Sequence, residues 1–150
     1  MSRVQVEMPH VFLFETTLEV RITDINYGGH LANDRVLSLV HEARVRFLRH
    51  HGFSEANIEG KAIIMANAVV VYRSEAFAGD LLRVQIGARE VNKYGCDLVY
   101  RLTNQSDGRE VALVQTAIVF FDYDKRRITI APPGFETLVS PRNVASGTTP

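Results

Sequence analysis

Asn26 and His30 stand four residues apart around the pair Gly28-Gly29, and Asn33 follows just ahead of a long run of helical character. Residue types in that order can do chemistry. An Asn amide both donates and accepts hydrogen bonds, and an imidazole donates, accepts or carries a proton near neutral pH. Paired glycines let the backbone turn sharply. The first N–H groups of the helix beyond have no partner inside it and carry partial positive charge, so they can hold a carbonyl or phosphate oxygen. The same residues also admit a purely structural reading. Asn and Gly are ordinary turn residues, so Asn26 can close the turn while His30 packs or caps.

Two elements must position these groups. Residues 12–22 alternate, with Phe14, Thr16, Leu18, Val20 and Ile22 on one face and Glu15, Thr17, Glu19 and Arg21 on the other, the pattern of a half-buried strand. It delivers the chain into the turn. The helix then starts near Asn33 or Asp34, either able to cap it, and runs to about His51, with Gly52 as a left-handed terminator. Val36, Leu39, Val40, Ala43 and Phe47 share one face, widened by Leu37, Val45 and Leu48, so its surroundings must largely wrap this helix. Glu42 lies opposite the centre of that face with Arg46 four residues on, a spacing that by itself predicts a surface ion pair.

A strand, then Asp24-x-Asn26-x-x-Gly29-His30-x-x-Asn33, then a helix carrying His41-Glu42-Ala43-Arg44, resembles the hotdog-fold acyl-CoA thioesterases, in particular the 4-hydroxybenzoyl-CoA thioesterase-like branch. That branch reads roughly Asp-x-Asp-x-x-Gly-His-Val-Asn-Asn with Glu-Glu-Ala-Arg in the helix. The likeness covers about residues 12–131 and is most specific over residues 24–48. It implies an α+β hotdog fold, a long central helix wrapped by a curved antiparallel sheet of about five strands. One position departs from it. The family's second Asp, its nucleophile or general base, falls on Asn26, and a neutral amide cannot take a proton from water.

The resemblance therefore implies hydrolysis of an acyl-CoA thioester with redistributed roles. The Asn33 N–H would take the acyl carbonyl, Asn26 would position the thioester or a water, and His30 would organise the turn or move a proton. Glu42, the acidic residue of the helix beyond its capping turn, would be the general base or attack directly. Tyr27, Gly29 and Tyr72 are expected at the substrate, although the two tyrosines could equally be core, with Arg73 and Lys93 as cations for the phosphates of coenzyme A; as lone strand-end cations they equally serve to keep a surface wet. Two other readings compete. Hotdog hydratases carry Asp-x-Asn-Pro-x-His, which Asp24-x-Asn26 and His30 approach without the proline and with His one residue late. The missing Asp also fits a non-catalytic acyl-CoA-binding protein.

Four further strand-like stretches follow, at residues 62–75, 81–90, 96–103 and 110–122, with Asp107-Gly108 as a turn signal and no obvious second helix. Pro132-Pro133 should stop a short last strand, leaving a domain of residues 1–139 and a mobile tail of 140–150. The strand holding residues 67–72 has little charge to defend an open edge, so pairing across a homodimer, or within a homotetramer, is expected. With 150 residues, 46% of them hydrophobic, and seventeen basic residues balancing seventeen acidic ones, nothing draws nucleic acid or an anionic membrane. No run approaches the about 18 apolar residues of a membrane span, and a cytoplasmic location is the default expectation. Cys96 has no partner for a disulfide, and neither it nor His50-His51 shows metal-ligand spacing, so no metal and no cofactor are expected.

Overall fold

The computed structural model describes residues 3–140. The order is β1 (Phe14–Glu19), a single 3-10 turn (Ile22–Asp24), α1 (Arg35–His50), β2 (Ala62–Tyr72), β3 (Leu81–Asn92), β4 (Gly95–Asn104), β5 (Glu110–Asp122), β6 (Arg127–Ile128) and α2 (Pro133–Leu138). All pairings are antiparallel, in the spatial order β1-β3-β4-β5-β2 with β6 added to β5. The five long strands match the expected sheet.

Alternation along the strands sends one row of side chains inward: Leu82, Val84 and Ile86 from β3; Leu98, Tyr100 and Leu102 from β4; Val114, Ile118 and Phe120 from β5. They share a core with Val36, Leu39, Val40, Ala43, Phe47 and Leu48 of α1, so this helix buries nearly its whole apolar face. On the opposite sheet face the N-terminal segment packs closely, since a Cβ at Gly87 would come within 2.5 Å of Pro9. The Arg101 guanidinium lies 4.9 Å from the Phe12 ring centre, and Arg89 pairs with Glu7 at 2.7 Å.

Four expectations change. Ile22 does not continue the β1 face: the chain leaves the sheet at Val20, and Ile22 is exposed on the 3-10 turn. Asp34 stands at the helix cap position but its side chain makes no capping bond. β2 ends at Tyr72, where the backbone N–H groups of Arg73 and Ser74 both turn to the Val111 carbonyl. A second helix exists, because Pro133 opens α2 at a position where its missing N–H costs nothing. Phe135 of α2 then stacks edge-on against Phe120 at 4.8 Å and closes the core. The expected tail lies, apart from Ser140, outside the described residues.

β2 forms an edge of the sheet. Gly52 (φ +81) ends α1 in the left-handed conformation, its N–H bonded to the Arg49 carbonyl at 2.9 Å.

Candidate active site

The join between β1 and α1 is pinned in three places. Asp24 is buried; its Oδ2 accepts the Arg21 N–H at 2.9 Å and its carbonyl accepts the Ala32 N–H at 2.9 Å. Its other carboxylate oxygen has no hydrogen-bond partner among the described residues. Residues 25–31 then form a small loop closed by a bridge between Ile25 and Leu31. Within it the Asn26 N–H donates to the His30 carbonyl at 3.1 Å, and the Gly29 N–H to the Asn26 carbonyl at 3.0 Å. Gly29 has φ +82, a conformation glycine adopts without penalty. Finally, the Leu31 N–H donates to the Ala76 carbonyl at 2.8 Å and ties the loop to the segment after β2.

This scaffold orients two side chains. Asn26 Oδ1 accepts the Gly28 N–H at 2.9 Å, which fixes the amide and leaves its Nδ2 donors without a partner among the described residues. His30 Nδ1 lies 3.2 Å from the Leu31 carbonyl oxygen. A carbonyl can only accept, so in the neutral ring Nδ1 carries the hydrogen and Nε2 the lone pair. A Cβ placed on Gly28 would sit 3.2 Å from Asn26 Oδ1 and 3.2 Å from His30 Nε2, so both groups lean over the same bare backbone. The turn reading of Asn26 is thus realised, and it does not consume the amide nitrogen.

At the start of α1 the N–H groups of Asn33 and Asp34 have no acceptor among the described residues. The Asn33 carbonyl is held by the Tyr72 hydroxyl at 3.0 Å. His30, Asn33, Tyr72 and Arg73 all line one cavity of about 230 Å³, with Val36 and Val111 as its apolar wall. Arg73 also pairs with Glu110 at 3.5 Å. Tyr27 points fully into solvent.

Asn26, Tyr27 and Gly29 belong to the adjoining turn and do not line this cavity, and Glu42 and Lys93 are not brought to it within one chain. Glu42 accepts from Arg46 Nε at 2.7 Å, and Arg46 is tied in turn to Thr16 Oγ1 at 2.9 Å and the Thr17 carbonyl at 3.2 Å. The carboxylate therefore faces β1, in a groove of about 540 Å³ shared with Leu18, Glu19 and Arg21. Lys93 sits over the Tyr94 ring in the β3–β4 turn. That turn adjoins Gly95, opposite Val119, whereas Tyr72 lies opposite Ala112; seven residues of β5, roughly 23 Å at 3.3 Å each, separate the two levels.

A polar chain escaped the sequence reading. His41 Nε2 meets Glu55 Oε1 at 2.8 Å, Arg44 Nε donates to Glu55 Oε2 at 2.6 Å, Arg44 Nη1 donates to the Tyr100 hydroxyl at 3.1 Å, and that hydroxyl lies 2.8 Å from Thr116 Oγ1. Burial pushes the Glu55 carboxyl up, but the hydrogen bonds and charges of Arg44 and His41 outweigh it and hold the group below the ordinary glutamate value. One signal was present: Arg44 stands four residues from both Val40 and Leu48, on the apolar side of the helix. Its partners come from a loop and two strands that no local pattern connects to it. Cys96 is a buried strand residue, as expected, and burial together with nearby Asp97 pushes its thiol up to about 12.

A helix of sixteen residues on an antiparallel sheet, entered through a glycine turn that leaves N–H groups free, defines the hotdog class. The chain belongs to the thioesterase-like superfamily, whose model matches residues 20–138. Its class is thus that of a thioester hydrolase. Among solved structures it is similar to a 1,4-dihydroxy-2-naphthoyl-CoA thioesterase from Synechocystis, at 21% identity and TM-score 0.77 over 84% of this chain and 94% of that one. It is also similar to a Staphylococcus aureus protein characterised in complex with CoA, at 19% identity and TM-score 0.79 over 97% and 92%. A DHNA-CoA thioesterase from the same species aligns at 17% identity and TM-score 0.75 over 87% and 90%. Comparison of the sequence with curated proteins finds no match. Among the described residues no helix is long and apolar enough to cross a membrane.

Proposed function

We propose that the protein hydrolyses an acyl-CoA thioester at the cavity where α1 begins. The observation that carries this is the Asn33 N–H at the head of a sixteen-residue helix, without an acceptor among the described residues, in a residue that lines one cavity with His30. The acyl carbonyl accepts from the Asn33 N–H, where the helix dipole favours developing negative charge, and Asn26 Nδ2 steadies the thioester or the attacking water. His30 Nε2 takes a proton from water as its oxygen attacks the carbonyl carbon. The tetrahedral oxyanion collapses, the C–S bond breaks, and the departing CoA thiolate recovers that proton. The geometry favours His30 as base. Glu42, expected from the sequence to be the base, would serve only across a subunit boundary and after release from Arg46.

In this reading one domain, residues 1–139, works as a cytoplasmic homodimer or as a tetramer built from such dimers. β2 supports it as an uncharged edge, and antiparallel pairing of two β2 strands reverses their directions. The partner's Lys93 end then approaches this chain's Tyr72 end, which would bring Lys93 toward Arg73 and the phosphates of CoA. A structural relative held CoA, in keeping with that ligand. The test is a panel of acyl-CoAs with a thiol reagent. Release of free CoA is expected; loss of enoyl absorbance would instead indicate a hydratase, and binding without either a carrier. Cys96 adds no background, because buried and at about 12 its thiolate is on the order of one part in ten thousand at pH 8.

A further inference from the structure

A second groove, of about 410 Å³, runs beside the cavity along α1 and β2. Leu37, Met65 and Ala68 give it apolar walls, and Arg44, His41 and Thr116 give it a polar end. Leu37 follows Val36 of the first cavity and Ala68 lies four residues before Tyr72, so the groove lies farther along the same helix and strand, beyond the Tyr72 hydroxyl that bonds the Asn33 carbonyl. From Asn33 to His41 is eight residues, about 12 Å at 1.5 Å each. An acyl chain held by its carbonyl at Asn33 and laid along this groove therefore ends near the polar group.

The hydrogen-bonding character of that end is fixed by the chain behind it. Glu55, kept ionised by Arg44, can only accept, so a neutral His41 places its hydrogen on Nε2 and turns an acceptor lone pair outward at Nδ1. Arg44 uses Nε on Glu55 and Nη1 on Tyr100, and its remaining N–H groups have no partner among the described residues. Nη2 is not sealed in, since Asp24 Oδ1 is the one fully enclosed side-chain oxygen or nitrogen without a partner among the described residues. Donors and an acceptor thus sit together in a place whose charge is already balanced by the pair of Arg44 and Glu55 at 2.6 Å. A methyl group there would leave N–H groups dry and unpaired, and a carboxylate would bring a second negative charge beside Glu55 and a lone pair beside Nδ1. A hydroxyl matches both needs.

We propose that the groove between α1 and β2 selects medium-length acyl groups that end in a neutral hydroxyl, read by Arg44, Thr116 and His41. This rests on the acyl-CoA hydrolysis proposed above. The experiment compares kcat/KM for ω-hydroxyoctanoyl-CoA, octanoyl-CoA, the CoA monothioester of suberic acid and acetyl-CoA. The full-length protein should favour the hydroxylated substrate over octanoyl-CoA by about tenfold or more, because a site built to bond a hydroxyl discriminates against its absence. Thr116→Val should cut that ratio severalfold and Thr116→Ser should keep it. Should the valine variant not fold, His41→Phe, on a side chain half in solvent, must lower the same ratio. Ala68→Leu, which fills the groove, should slow the two uncharged eight-carbon substrates far more than acetyl-CoA. A wild-type ratio near one, or preference for the suberyl thioester, overturns the hydroxyl assignment while leaving hydrolysis intact. Release of CoA from none of the four overturns both readings.

Discussion

Asn26 Oδ1 and His30 Nε2 converge above the Cα of Gly28, each 3.2 Å from the point a Cβ would occupy there. Neither side chain has room to move toward the other past a methyl group, and both are partly exposed and outside the hydrophobic core. Gly28→Ala should therefore displace the two polar groups by a few tenths of an ångström. Turnover should fall about tenfold to a hundredfold, because misplacement on that scale is costly to catalysis, while Tm stays within a few degrees of wild type. Unchanged turnover in the alanine variant would separate this turn from the chemistry.

Asn26 itself can be tested in two directions. Asn26→Ala removes the amide donor and the Oδ1 bond to the Gly28 N–H, and should lower turnover by roughly one to three powers of ten for about 1 kcal/mol of stability. Asn26→Asp keeps an oxygen for the Gly28 N–H and places a carboxylate where the motif that this turn resembles has its second Asp. Activity equal to or above wild type is expected from the aspartate variant, and full activity in the alanine variant would move the site elsewhere.

His30 and Glu42 should be compared in parallel. With Nδ1 committed to the Leu31 carbonyl and Nε2 open, His30→Gln should cost roughly a hundredfold or more in turnover. Glu42→Gln breaks a half-exposed pair with Arg46 and should cost under about 1 kcal/mol of stability with near-normal turnover. The reverse pattern, a dead glutamine at 42 and a live one at 30, would assign the base to Glu42.

The polar chain through Arg44 sets a pH dependence of stability. Glu55 has a folded value below its unfolded one, so it stabilises the fold fully above the ordinary glutamate range, and this contribution fades as pH falls through the lower folded value. Glu55→Gln leaves the buried Arg44 charge without its counter-ion and should cost about 2–3 kcal/mol at pH 7, less than a fully enclosed pair because Glu55 keeps some solvent contact. Urea denaturation at pH 7 and pH 3 measures this: the gap between wild type and variant should narrow at the lower pH. A constant gap would mean that Glu55 acts through packing and not through charge.

Local patterning determined a good deal on its own. Alternation and apolar β-branched runs predicted five strands, and the 3.6-residue period together with Gly52 predicted the helix. The motif from Asp24 to Asn33 pointed to the turn where the candidate site lies, because spacing along the chain is a local property that side-chain periodicity records directly. The second helix was not legible, since six residues beginning at the second of two prolines carry too little period to read. Nor was the direction of Glu42. A helix position has neighbours on both flanks, and only the folded sheet decides that 42 faces β1 with Arg46 while 41 and 44 face β2 and Glu55. The chain from His41 to Thr116 belongs wholly to the tertiary structure. Its members lie eleven to fifty-six residues apart at the Arg44 links, and packing alone brings a loop carboxylate, a helix cation and two strand hydroxyls into hydrogen-bonding contact.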